Sequence, residues 1–350
     1  MNLVKGDKIP LSTSERIIEY ITYHGQARAY DLYKTLHISN VATHKQLRKL
    51  LEKNLLRKVG KPPFVFYLLP EEGISTLALN ASLQNKSLPA ELSSLIEENF
   101  LQITEDGEKL TGYRGFLLWV AKNKKNQDLL SLAREYAQIW TEKEGKKTQE
   151  GWFDATVSLK KVHKEAFVDY FLFEEVYSLH TFGRTKLARL VMHAKESSDK
   201  QLADEVSMMV KQKIEKVIVK YNIEAVAYIP PTIERPLQFM KELELQLHLP
   251  LPKIELIKAK AKEGSIQRSQ KSIKDPLEKV INARDTIFLK NTQENPYSNV
   301  LLIDDAAASG ASFNETARKL KYAGVGRQRI VSFSLVGNLD LSRYAVIRQI

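Results

Sequence analysis

Val300-Leu301-Leu302-Ile303-Asp304-Asp305-Ala306-Ala307-Ala308-Ser309-Gly310-Ala311-Ser312 is the stretch whose reading decides the fold. Its four leading apolar residues, partly β-branched, predict a buried strand with two carboxylates at its carboxyl end. A turn of small residues follows, and Phe313 to Tyr322 then predicts a helix. In an open α/β sheet, ligands bind outside the carboxyl ends of the strands. Small side chains let backbone N–H groups approach a phosphate, and the following helix N-terminus adds positive potential. Gly310 permits a tight turn, and Ser309 and Ser312 add hydroxyl donors. Two acids ahead of a phosphate turn are counterproductive unless the ligand also brings hydroxyls or a divalent cation. The bland alternative is an ordinary βα turn with two solvated acids.

A ribose phosphate with Mg²⁺ meets that demand, and the order of residues resembles the phosphoribosyl pyrophosphate (PRPP) loop of type I phosphoribosyltransferases. That pattern is an apolar strand, Asp-Asp, two small residues, two Ser/Thr, Gly, any residue and Ser/Thr. Only Ala308 departs from it, standing where a hydroxyl residue is usual. The resemblance implies that Asp304 and Asp305 serve catalysis and hold Mg²⁺ indirectly. It also implies that Ala306, Ala307, Ala308, Ser309, Gly310, Ala311 and Ser312 cradle the phosphate. One neutral hydrogen bond contributes about 0.5–1.5 kcal/mol, so Ala308 implies weaker PRPP binding rather than none. In purine-salvage enzymes that loop position can hold a catalytic acid, so Ala308 also argues against purine salvage.

The resemblance extends over about 167–337 and is similar to ComF-like phosphoribosyltransferases. Tyr170 to Lys195 is similar to the entry segment of that family, in which a hydrophobic strand, a short basic turn and a helix ending in Lys lead into the core. Ala225 to Ile229 predicts the first core strand. The loop after it lies beside the pyrophosphate in the family, which makes Thr232 and Arg235 the implied contacts. Arg suits a bidentate grip on phosphate; the alternative for Arg235 is a surface ion pair with Glu234 or Glu242. Lys260 to Ser272 is polar and basic, and Gln270 and Lys271 align with a mobile-loop signature of the family. Closing over a pyrophosphate, such a loop would neutralise leaving-group charge and exclude water; a solvated loop is the alternative. Arg329 to Val336 predicts a further core strand and Tyr344 to Ile347 a last short one. ComF-like proteins commonly carry a cysteine-rich zinc module, whereas this chain has no cysteine, so no zinc is expected.

Residues 1–70 read as a separate unit of three helices and a β-hairpin around a basic Gly-Lys-Pro-Pro turn. This order resembles a winged helix-turn-helix, in which the third helix enters the major groove and the wing touches the backbone. The segment holds twelve Lys/Arg against five Asp/Glu, more than half of the whole chain's net charge of +11. On the third helix, Val41, Leu47, Leu50 and Leu51 are expected on the apolar side. Thr43, His44, Gln46 and Arg48 would read bases, and Lys45, Lys49, Arg57, Lys58 and Lys61 would meet phosphates. A winged helix used for protein contacts is the alternative.

The chain of 350 residues is long for one domain. The expected fold class is multidomain α/β: a winged helix over 1–70, a helical middle or linker module over 71–165, and a phosphoribosyltransferase-like parallel sheet flanked by helices over 166–350. Lys143 to Gly151 reads as a charged linker. No run of 18 apolar residues predicts a membrane span, and the N-terminus lacks the apolar core of a signal peptide. Absent cysteine fits a cytoplasmic chain. The expected partners are double-stranded DNA, PRPP or a nucleotide, and a second copy of the chain in a homodimer. Three functions are compatible: a DNA-binding regulator with a PRPP-sensing domain, an active phosphoribosyltransferase, and a ComF-like competence or DNA-uptake factor.

Overall fold

The computed structural model describes residues 12–52, 55–61, 64–69, 88–104, 107–123, 127–231, 235, 237–259, 273, 275–290 and 297–349. Thr232, Gln270 and Lys271 lie outside them.

The N-terminal unit comprises α1 (Thr13–His24), α2 (Ala29–Leu36), α3 (Asn40–Glu52) and the antiparallel pair β1 (Arg57–Lys61) and β2 (Phe64–Leu68). A capping box starts α1: the Ser12 hydroxyl accepts from the Glu15 N–H, and the Glu15 carboxylate accepts from the Ser12 N–H at 2.7 Å. Gly25, at φ 77°, ends it in the left-handed conformation that glycine tolerates best. Ile17, Ile21, Leu32, Leu47, Leu50, Leu56 and Tyr67 form a small core of their own.

The next segment contains α4 (Ala90–Asn99), β3 (Leu101–Ile103), β4 (Lys109–Thr111), α5 (Gly112–Asn123), α6 (Leu129–Glu144), β5 (Phe153–Asp154) and α7 (Thr156–Val162). An aromatic cluster of Phe100, Phe116, Trp119, Tyr136 and Phe182 ties its helices together. The remainder runs β6 (Tyr170–Val176), β7 (Ser178–Leu179), β8 (Gly183–Arg184), α8 (Lys186–Ser197), α9 (Lys200–Tyr221), β9 (Ala225–Tyr228), α10 (Phe239–Leu247), β10 (Leu256–Lys258), α11 (Pro276–Thr286), β11 (Ile287–Leu289), β12 (Asn299–Ala307), α12 (Ala311–Tyr322) and β13 (Arg329–Gly337).

The chain folds as mixed α/β around a five-stranded, mostly parallel sheet of order β5-β6-β13-β12-β9. β6, β13, β12 and β9 are parallel, and β5 pairs antiparallel with β6. β12 lies between β13 and β9, and its Val300 to Ile303 are fully buried, as expected of a strand covered on both faces. Alternation sends Val300 and Leu302 to one face and Leu301 and Ile303 to the other. The first face meets residues of α7, α11 and α12; the second meets α8, α9 and α10.

Three expectations are corrected. The sheet crosses the boundary expected between 165 and 166, because β5 supplies its edge strand and Phe153 stacks on Phe173. Lys143 is not part of a solvated linker: it is 5% exposed at the end of α6, with its ammonium 2.8 Å from Glu175 and above the Trp140 ring. The last short strand expected at Tyr344 to Ile347 is a 3₁₀-helix over Ser342–Gln349, whose Tyr344 and Ile347 are buried in the same apolar cluster as Val300 and Leu302. Among the described residues, no helix is long and apolar enough to cross a membrane.

Removing one member of a buried ion pair strands the other charge, at a cost of about 3–5 kcal/mol. Lys143→Met is therefore expected to lower unfolding free energy by about 3 kcal/mol in urea denaturation. Lys143→Met/Glu175→Leu should recover much of that loss. An unchanged midpoint in the single variant would contradict the burial of this pair.

Candidate ligand cleft

β12 does not stop at its apolar residues. It runs on through Asp304, Asp305, Ala306 and Ala307, so both acids lie within the strand, and Asp304 stands opposite Ser334 of β13. The Asp305 N–H donates to an Asp304 carboxylate oxygen at 2.8 Å. The turn that follows closes at Gly310, which caps α12 at φ 74°. Its positive φ favours glycine, and a Cβ there would sit 2.2 Å from Leu159 Cδ1, so any larger residue would also have to displace that side chain of α7.

A cleft of about 370 Å³, within the range of small-molecule sites, opens at this edge. All four parallel strands deliver residues to it from their carboxyl ends. Tyr177 follows β6, Ile229 to Pro231 follow β9, Asp304 to Phe313 continue β12, and Asn338 follows β13. Arg235 lines the same cleft and is half-buried. Of the two alternative partners for it, Glu242 instead pairs with Lys200 at 2.7 Å, and Glu234 lies outside the described residues.

Lys195 and Lys258 bring basic groups to the acids of the cleft, whose lining also includes Lys279 and Arg343. α8 places Lys195, in its last turn, 2.5 Å from the Asp305 carboxylate. Burial works against the Lys195 ammonium, but Asp305 and Asp304 outweigh it and raise its pKa. Burial, followed by the neighbouring Asp305 charge, pushes Asp304 well above the usual carboxylate range. Lys258, at the end of β10, also lines the cleft. Burial lowers it to about 8, although Asp304 favours its charged form and Lys319 opposes it.

Of the predicted phosphate-loop residues, Ala308 is exposed, Ser312 is half-buried and Ser309 is 3% exposed. The Ser309 hydroxyl accepts from the Ala311 N–H at 3.4 Å, which ties the turn to itself. A carboxylate pair is a suitable partial donor set for a hard divalent cation. Among the described residues no group of three or more His, Cys, Asp or Glu could hold a metal, so such a cation would take its other oxygens from ligand or water. Sequence reading gave no role to Lys195, although its helix was recognised, and carried no signal for Lys258. Both are selected by long-range packing.

On the N-terminal unit, His44, Lys45, Arg48 and Lys49 of α3 are exposed, as are Arg57 and Lys58 of β1. Gln46 is half-buried and accepts from the Ser14 hydroxyl at 2.9 Å. Lys61 ends β1. Thr43 is a correction: it is fully buried with Leu47 and Leu50, and its hydroxyl donates to the Ser39 carbonyl at 3.0 Å, so it cannot read a base. Val41 is the converse, 79% exposed rather than on the apolar side.

No protein-family model matches this chain. No curated protein matches it. Among solved structures, a crystal structure of adenine phosphoribosyltransferase is similar over 42% of this chain and 77% of its own, with 16% sequence identity and a TM-score of 0.27. At that score the likeness carries no weight beside the geometry of the cleft.

The two lysines should titrate in opposite directions from the ordinary value. Competitive amine labelling between pH 6 and 11 is expected to give Lys258 a midpoint near 8 and Lys195 one above the ordinary lysine range. Raising the pH through about 8 therefore removes the Lys258 charge from the cleft while Lys195 keeps its own. Midpoints in the reverse order would overturn this placement.

Proposed function

We propose that the cleft binds PRPP, or a nucleotide sharing its ribose 5-phosphate, together with Mg²⁺. The observation that carries this reading is the meeting of the Asp304–Asp305 pair and the Gly310 turn at one strand end, facing Arg235. The small-residue turn and the start of α12 offer backbone N–H groups to a 5-phosphate. Asp304 and Asp305 accept from the ribose hydroxyls or face a ligand-borne cation, whose bound form supplies charge neutralisation at the pyrophosphate. Arg235 and Lys258 add positive charge for the same group. Lys195 holds Asp305 in place.

In this reading the N-terminal unit is a winged helix that docks on duplex DNA, and the whole chain is a regulator whose DNA affinity depends on the cleft's occupancy. Support comes from the exposed side chains of His44, Lys45, Arg48 and Lys49 on one helix and of Arg57 and Lys58 on the adjoining strand. With Thr43 buried, His44, Gln46 and Arg48 remain as base readers. A ligand that favours one of two states then shifts DNA binding by its differential affinity. The second reading is an active phosphoribosyltransferase, favoured by the concentration of cations around the expected leaving group.

Calorimetric titration with PRPP and Mg²⁺ tests the cleft. Saturable binding by the wild type is expected, weakened about tenfold or more in Asp304→Asn/Asp305→Asn. Folded wild-type protein that takes up no PRPP would refute the reading. Pyrophosphate release on addition of an acceptor base would favour the transferase over the sensor.

Duplex DNA binding is tested by fluorescence anisotropy at several salt concentrations. Lys45→Ala/Lys49→Ala should reduce the slope of log affinity against log salt by about two. Identical slopes for wild type and variant would remove these lysines from the DNA interface.

A further inference from the structure

The carbonyl of Ser309 lies in the middle of the ligand turn, yet its partner is the His163 ring. His163 follows α7, is 3% exposed and places Nε2 3.0 Å from that carbonyl oxygen. A carbonyl only accepts, so Nε2 carries the ring proton and Nδ1 is left as an acceptor. The Asn314 side-chain amide nitrogen approaches Nδ1 at 3.4 Å. Its orientation is set independently: Oδ1 accepts from the Phe167 N–H at 2.8 Å, and Nδ2 also donates to the Glu165 carbonyl at 2.9 Å. Burial moves His163 below the ordinary histidine range, which favours the neutral ring this pattern needs.

In a planar trans peptide the C=O and N–H bonds point in opposite directions. Holding the Ser309 carbonyl against buried His163 turns the Gly310 N–H the other way, and Gly310 is one of the residues that line the cleft. We propose that His163 is a positioning residue that presets the Gly310 amide as a donor to the ligand's 5-phosphate. Without the strut, the peptide is free to rotate and present a carbonyl oxygen, which repels a phosphate. Gly310 at positive φ has the conformational freedom for that rotation, so an external restraint is needed. The inference rests on the ribose-phosphate reading of the cleft and adds to it a residue from outside the β12–α12 turn.

The test compares wild type, His163→Phe and His163→Gln in calorimetric titrations of the full chain with ribose 5-phosphate and, separately, with pyrophosphate and Mg²⁺. Phe keeps the ring volume without a donor; Gln keeps an amide donor. Ribose 5-phosphate affinity is expected to fall about tenfold in His163→Phe and to recover largely in His163→Gln. Pyrophosphate affinity should be unchanged in both. Equal ribose 5-phosphate affinity in wild type and His163→Phe would overturn the proposal, as would an equal loss for both probes, the mark of a merely structural role. Wild type that binds neither probe would overturn the cleft reading and this inference with it. A second measurement needs no variant: the Gly310 amide resonance should shift on saturation with ribose 5-phosphate, and an unmoved resonance sinks the proposal.

Discussion

Everything at the cleft depends on a strand that is buried on both faces and still ends in two adjacent carboxylates. Val300 to Ile303 are fully buried between β13 and β9, and the ladder continues past them through Asp304 to Ala307. The sheet thus carries charge into a poorly hydrated place, where a lone carboxylate is costly. Lys195 offsets part of that cost by direct contact with Asp305, while Asp304 keeps a raised affinity for its proton. Two like charges held side by side by the backbone create a local demand for positive charge. Lys258, Arg235, Lys279 and Arg343 line the same cleft.

The turn after the strand is as constrained as the strand. Gly310 sits at positive φ with Leu159 where a Cβ would project, and the Ser309 carbonyl is hydrogen-bonded to His163. Both contacts come from the segment before residue 166. The helix α7 and the edge strand β5 therefore belong physically to the sheet that carries the cleft, and one continuous apolar core joins Leu159, Phe171 and Phe313. A boundary drawn by composition alone separates the turn from its supports. The Lys143–Glu175 pair makes the same point: β6 and α6 are held together by charges that look solvated in the sequence.

Some of this was legible because it is local. The βα turn at Asp304 to Ser312, the helix from Phe313 onward and the strands at Tyr170, Ala225 and Arg329 follow from apolar runs, small residues and periodicity within a few turns of chain. The three helices and hairpin of the N-terminal unit were legible for the same reason, as was the basic character of α3. Single faces were read less well. Val41 looks like core and is exposed, while Thr43 looks like a reader of bases and is buried with its hydroxyl bonded to Ser39. A Thr that satisfies its own hydroxyl within the helix packs as readily as Val, and polarity alone does not separate the two cases.

The sequence by itself determined many of the strands and helices, though not the edge strand β5 or the 3₁₀-helix over Ser342–Gln349, and that two acids precede a small-residue turn at a helix start. Those properties arise from backbone conformation and side-chain spacing over roughly ten residues. Only the tertiary structure decided that Lys195 and Lys258 line one cleft with Asp304 and Asp305. It alone placed His163 against Ser309 across 146 residues of sequence. Sheet order sets such meetings: β12 pairs with β9 and β13, and β13 in turn with β6, so segments far apart in the chain become neighbours at their carboxyl ends. A lysine or histidine in a helix carries no local mark of the strand end it will face, because that is fixed by the collective burial of apolar surface rather than by the residue itself.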